Sequence, residues 1–364
     1  MTGEHELAAE GIRLRLDLRN GHIVDCVIEA ADRPLRPLHR APWVDSGEEL
    51  PDGTSLGLAR LSGDFFCAPF SRSDLEDAPV HGWPANSAWG FVEQEAVDGG
   101  GVSASFRLQR PVLGATIEKQ ITLRANHPFV YQEHRLRGGS GLLSVSHHLM
   151  TRMKAGGLLA SSPKRFAQTP DAPLEPDPAR GRFALAYPAH VEDLSAFPLA
   201  QGGTKDLRIY PPAERHEDFL TLAEDAGAGL GWTAISRHAE QDMVLVLKNA
   251  ETLPITMLWM SNGGRNYPPW NARHTGVLGI EDARAHPGGH RASTGENSLT
   301  AQGVPTAFKL DGETLVVRQA FGAVPLAETA VPVVAVSAGD GALKIVQESG
   351  AVLRLPFDDT FLAV

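Results

Sequence analysis

A chain of 364 residues with 42% hydrophobic and 21% charged residues can bury a full core, and one domain over residues 1–364 is the expectation. The formal charge of −11, with no basic run, argues against nucleic acid and against an anionic membrane as partners. Two cysteines, Cys26 and Cys67, offer neither a zinc spacing nor a disulfide framework, and both lie in apolar surroundings as expected for buried free thiols.

The first residues, MTGEHELAAEG, are acidic and lack the basic and apolar regions of a signal peptide. No apolar run approaches the roughly 20 residues that span a bilayer. The cytoplasm is therefore the expected compartment. Plentiful glycine (37) and proline (26) divide the chain into short pieces that alternate in polarity. Ile12, Leu14, Leu16 and Leu18 share one face, with Arg13, Arg15 and Arg19 on the other. Ile117, Ile121 and Leu123 alternate with Glu118, Gln120, Thr122 and Arg124. Residues 104–108, 207–210, 219–222, 232–236, 243–247, 314–318, 333–336 and 343–347 read as further strands. Period two with frequent turn signals predicts an all-β, antiparallel sandwich. Short helical turns are expected only near residues 71–77 and 281–286. The stretch 161–181, with five prolines, reads as an excursion loop, and the tail from Thr306 as strands completing the same sheets.

Three stretches concentrate chemistry. The first, Trp259 to Ala283, carries Asn262, Tyr267, Trp270, Arg273 and a second apolar run ending in Glu281. Its Gly263-Gly264 and Pro268-Pro269 pairs predict an irregular loop between two strands. Flat rings and amides are the groups that stack on a pyranose face and bind its hydroxyls. Glu281 is expected at the rim of a buried strand, where partial desolvation raises a carboxyl pKa. The second stretch, Leu61 to Trp89, surrounds FFCAPF with Asp64, Arg72, His81 and Trp89. The third, SVSHHLMT at 144–151, holds adjacent histidines that must face opposite ways if they lie in a strand. For the same reason His147 and His148 do not make a metal pair. HExxH, GxSxG, GxGxxG and GxxxxGK[ST] motifs do not occur, so no metal and no cofactor are predicted.

Together these stretches resemble the aldose 1-epimerase (galactose mutarotase-like) superfamily over about residues 12–317. CAPFSR looks like the family's proline segment ending in arginine, which offers Arg72. HGW followed by Trp89 is similar to a His-Gly-aromatic motif and offers His81. ANHPFVYQEHRL is similar to the strand that precedes the family's acid histidine, and SHHLM to the segment that carries it. The doublet leaves His147 and His148 both open, with His148 preferred. GVLGIED resembles the context of the catalytic glutamate, giving Glu281 as base. Departures are the missing His-x-Tyr-Phe-Asn signature, with Leu149 and Met150 where aromatics are usual, and Pro84-Ala85 after the His-Gly-aromatic motif. The family's substrate-binding aspartate has no clear counterpart, and Asp218 is taken for it.

The resemblance implies a large β-sandwich and interconversion of the α and β anomers of a free hexose by acid–base ring opening. Glu281 would act as base and His148, or His147, as acid. Arg72, His81, Asp218, Trp259, Asn262, Tyr267, Trp270 and Arg273 would bind the monosaccharide. The alternatives are a carbohydrate-binding protein without catalysis and a sugar-phosphate epimerase that uses Arg265 or Arg273. Polysaccharide cleavage would need a second carboxylate, Asp64 or Asp218, opposite Glu281.

Overall fold

The computed structural model describes residues 3–225 and 227–363. Two large antiparallel sheets carry the fold. The first has eight strands. In spatial order they are His190–Val191, Lys164–Gln168, His216–Glu224, Ile255–Asn262, Val277–Arg284, Val145–His147 and Phe66–Cys67, with Leu149–Arg152 also pairing to Val277–Arg284. The second has nine strands, from Ile209–Tyr210 through Gly157–Ser161, Leu230–Arg237, Asp242–Asn249, Leu315–Pro325, Phe129–Gly138, Ala115–Arg124 and Gly101–Leu108 to Trp89–Ala96.

The predicted alternation is what packs them. In the strand Ile255–Asn262, Leu258 and Met260 point between the sheets, into a core shared with Val246, Ile121 and Phe321. Ile255, Met257 and Trp259 point the other way, into a second cluster with Trp43, Phe65, Phe70 and Trp270. Each strand thus splits its side chains between two environments. The candidate site lies on the second, outer face of the eight-stranded sheet.

Four expectations change. The stretch 161–181 is not all loop, since Lys164–Gln168 within it is a strand paired with His216–Glu224. The tail does not all join the large sheets. Leu315–Pro325 enters the middle of the nine-stranded sheet, but Val333–Gly339, Ala342–Gln347 and Val352–Pro356 form a separate sheet. That sheet places Leu343, Ile345 and Phe357 against Phe129, Tyr131 and Leu245. Residues 71–77 form no helix, since Ser71 has φ +59° and the segment turns. Glu281 continues a strand, because its backbone pairs with Met257 across the ladder. The α-helices are two short ones, Leu56–Ala59 and His290–Thr294, among the described residues. None of these is long and apolar enough to cross a membrane.

Candidate functional site

Strand register brings the pair together. Ser146 lies opposite Ala283, and Leu149 opposite Ile280. Counting inward puts His148 across from Glu281 and His147 across from Asp282. Directly opposed side chains share a face at about 5 Å. The histidine doublet therefore divides as expected, one ring to each face. His148 Nε2 lies 3.1 Å from Glu281 Oε1 on the outer face. His147 turns inward, where Phe66 and His134 pack edge-on to it and Asp64 Oδ2 is 3.8 Å from Nδ1.

The His148–Glu281 pair sits in an aromatic box. Phe65 stacks on the His148 ring at 4.5 Å, and His81 and Trp259 meet it edge-on at 5.3 and 5.7 Å. Gly279, opposite Trp259 in the ladder, leaves room for the indole: a Cβ there would lie 3.1 Å from Trp259 Cβ and 3.5 Å from Glu281 Oε1. His81 adopts φ +69° ahead of Gly82, whose missing Cβ lets the turn approach the Ala68 carbonyl. Its Nδ1 is 3.4 Å from Cys67 Sγ.

Glu281 and His148 are only 2% and 3% exposed, so Glu281 lies inside the sheet, not at its rim as expected. Burial pushes the Glu281 carboxyl well above the usual range. Burial, and secondly the nearby His81 ring, hold His148 well below the imidazole range. Both shifts disfavour charge, which favours a neutral pair, a protonated carboxyl facing an imidazole lone pair, over an ion pair. Burial likewise brings His81 down to about 4. Glu281 Oε2 and His148 Nδ1 have no hydrogen-bond partner among the described residues.

The other expected site residues divide. His81 joins the pair. Arg72 is exposed, its guanidinium 3.4 Å from the Gly288 carbonyl. Asp218 does not reach the outer face: its carboxylate accepts from Ala184 N, Leu185 N, Tyr187 Oη and His216 Nδ1, and so holds the 184–187 segment in place. Asn262 is used in the same way, donating to the Pro212 and Glu214 carbonyls and accepting from Gly276 N. Arg273 pairs with Glu48, and the Arg180 guanidinium covers Tyr267 at 3.9 Å. Trp259 and Trp270, each 5% exposed, are walls and not open platforms. His274 stacks on the first at 5.3 Å, and Arg265 lies 4.5 Å over the second.

Sequence reasoning missed Cys67, Phe65 and, above all, Glu217. Glu217 sits on the outer face, accepts from Trp259 Nε1 and Ser261 Oγ, and lies 3.4 Å from Arg265 Nε. The signal was present in HEDFLTL: Asp218 shares parity with Leu220 and Leu222, the more apolar side, which turns Glu217 outward with Phe219. No group of three or more His, Cys, Asp or Glu among the described residues is placed to hold a metal ion.

No protein-family model matches the chain. No curated protein matches it either. Solved structures do. A candidate aldose 1-epimerase from Klebsiella pneumoniae is similar with a TM-score of 0.57 at 11% identity, over 88% of this chain and 78% of that one. A candidate aldose 1-epimerase from Escherichia coli K12 is similar with a TM-score of 0.53 at 12% identity, over 89% and 99%. A galactose mutarotase related enzyme from Lactobacillus acidophilus is similar with a TM-score of 0.52 at 11% identity, over 90% and 99%. At such identities the likeness shows the fold: this chain has the galactose mutarotase-like architecture, all-β and antiparallel.

Proposed function

We propose that the protein is an aldose 1-epimerase-like isomerase acting on a free monosaccharide. The observation that carries this reading is the buried His148–Glu281 contact at 3.1 Å on this fold. Anomer exchange needs one group to give a proton to the ring oxygen while another takes the C1 hydroxyl proton. The ring opens, the C1–C2 bond turns, and closure runs the same transfers in reverse. A protonated carboxyl facing the lone pair of a neutral imidazole provides one proton donor and one acceptor, which suits the reaction.

The resting state exchanges the expected roles. Glu281 carries the proton and would protonate the ring oxygen, and the neutral His148 would receive the hydroxyl proton. The sugar must part the two groups, and Glu281 Oε2 and His148 Nδ1 are free to take up new partners as it does so. His81 would donate to a hydroxyl, and Arg72 would stabilise the opened form at the edge. No cofactor is needed. Arg265 and Arg273 already face Glu217 and Glu48, which favours a free sugar over a phosphorylated one.

The test is optical rotation of freshly dissolved α-D-glucose and α-D-galactose. The protein should speed the approach to equilibrium, and Glu281→Gln should remove about 10² to 10⁴ of that rate with the fold intact. A Glu281→Gln protein as fast as the parent would take Glu281 out of the mechanism. A second reading, carbohydrate binding without turnover, is favoured by Leu149 and Met150 standing after the histidine doublet where aromatics are usual. Sugar binding by titration with no acceleration over a panel of aldoses would select it.

A further inference from the structure

Beside the His148–Glu281 pair, and separated from it by Trp259, lies a second line of titratable groups that the proposed reaction does not use. His39 Nε2 is 3.1 Å from His274 Nε2. His274 Nδ1 is 2.8 Å from Ser261 Oγ, and Ser261 Oγ is 2.9 Å from Glu217 Oε2. Glu217, Ser261 and His274 are almost wholly buried, and His39, at 8%, is the most exposed of the four. The Glu217 carboxyl also holds the Trp259 indole N–H, and that indole meets the His148 ring edge-on at 5.7 Å.

Each of the three links holds one hydrogen, and each junction atom can donate in only one direction at a time. Two complete arrangements therefore exist. With Glu217 ionised, Ser261 donates to it, His274 Nδ1–H donates to Ser261, and His39 Nε2–H donates to His274 Nε2. His39 Nδ1 then carries a lone pair. With Glu217 protonated, every link reverses: Glu217 donates to Ser261, Ser261 to His274 Nδ1, His274 Nε2–H to His39 Nε2, and His39 Nδ1 holds a hydrogen. Both histidines are neutral in both states.

We infer that His39, His274 and Ser261 form a proton relay between the surface and the Glu217 carboxyl, which positions Trp259 beside His148. Going from the second state to the first, the Glu217 O–H bond breaks and a new Ser261 Oγ–H bond forms. The old Ser261 hydrogen passes to His274 Nδ1, and the His274 Nε2 hydrogen passes to His39 Nε2. The His39 Nδ1 hydrogen leaves to water. One carboxyl becomes one carboxylate and one hydronium, and no charge ever rests on an intermediate ring.

The surroundings fit this alternation. Burial, and then the His39 ring, keep His274 well below the imidazole range, and burial and Arg152 bring His39 down to about 3, so neither ring stores the proton. Burial raises Glu217, while Arg265, Trp259 and Ser261 pull the other way, which leaves the carboxyl able to titrate. The remaining groups facing it are His216, Tyr187 and Tyr210. The relay gives a carboxyl closed off by tryptophans a route to solvent without opening the box. It holds whether or not the neighbouring pair turns over a sugar.

The test is histidine ¹⁵N NMR on the intact protein as the pH is lowered through its folded range. The expected result is that His274 and His39 exchange tautomers together, each staying singly protonated. Ser261→Ala and Glu217→Gln should each abolish this coupled exchange, and Ser261→Thr, which keeps the hydroxyl, should retain it. The relay is overturned if either ring becomes doubly protonated first. It is equally overturned if no tautomer change occurs in the parent, or if the exchange survives Ser261→Ala or Glu217→Gln.

Discussion

Consecutive residues of the segment 145–152 and of the strand Val277–Arg284 build opposite electrostatic worlds on the two faces of the eight-stranded sheet. On the outer face, His148 and Glu281 meet among aromatic rings, with no compensating charge in contact among the described residues. On the inner face, their chain neighbours His147 and Asp282 belong to a polar seam between the sheets. Asp282 accepts from Thr256 Oγ1 and Gln319 Nε2, and Lys248 Nζ lies 3.1 Å away. Lys248 also reaches Glu224, 2.9 Å away, and Lys164 pairs with the same carboxylate. Asp64 is bound by Gln132 at the far end. Every carboxylate of the seam has a cation or amide against it, as burial of charge demands. The outer pair avoids that demand by staying neutral. A carboxylate held by two ammonium groups, like Glu224, is fixed in one state, whereas a neutral acid–base pair can change state when a ligand arrives. That contrast is the physical reason to look for function on the outer face.

The contrast breaks most visibly under isosteric neutralisation. Glu281→Gln should cost about 10² to 10⁴ in anomer exchange, yet move the urea midpoint little below about pH 4.3, where the carboxyl is protonated in the folded and unfolded states alike. Lys248→Met should do the reverse. It leaves Glu224 and Asp282 without their shared cation, a loss of about 3–5 kcal/mol for breaking a buried pair, read as a lower urea midpoint. Any surviving folded fraction should keep its activity per molecule. Equal stability losses for the two variants would show that the faces are not electrostatically distinct. A smaller effect is expected for Asp218→Asn. One oxygen becomes an NH₂ that cannot accept from Ala184 N or Leu185 N, and about 1–3 kcal/mol is lost from the unpaired groups. If Asp218 were instead a sugar ligand, the Michaelis constant would rise with stability unchanged.

The sequence made the fold legible because period two is strong in a sandwich: Ile117, Ile121 and Leu123 are buried as the pattern requires. It also made the doublet legible, since adjacent strand residues cannot share a face. What it could not supply was register. Only the pairing of Ser146 with Ala283 and Leu149 with Ile280 decides that His148, and not His147, meets Glu281. Parity decides Asp218 against Glu217, and the apolar partners Leu220 and Leu222 outweighed the family likeness there. The side chains from Asn262 to Arg273 answer to another demand. Asn262, Tyr267 and Arg273 have the chemistry of sugar ligands, but a long irregular loop must satisfy its own backbone and charges first. These side chains do that work.

The last effect, small per pH unit, is the most discriminating, because the carboxyls of the two faces, Glu224 and Glu281, should respond to pH with opposite sign. Burial pushes Glu224 up, but the ammonium groups of Lys248 and Lys164 outweigh it and bring the carboxyl down to about 2. The unfolded state, with an ordinary carboxyl near 4.3, then binds the proton first as pH falls. Stability from Glu224 is therefore complete above about pH 4.3 and is lost on acidification toward 2. Glu281 is raised in the folded state, so there the native protein binds the proton first. Its contribution is complete below about pH 4.3 and is lost as pH rises through the raised value. His148, lowered by burial, adds stability above about pH 6.5 that is lost on acidification. The measurement is the unfolding free energy of the parent minus that of Glu281→Gln, taken at intervals from acid to neutral pH. The difference should move against the parent as pH rises, by at most about 1.4 kcal/mol per pH unit. A difference that moves in the parent's favour would mean that Glu281 is ionised and compensated like Glu224, and the two faces would be electrostatically alike.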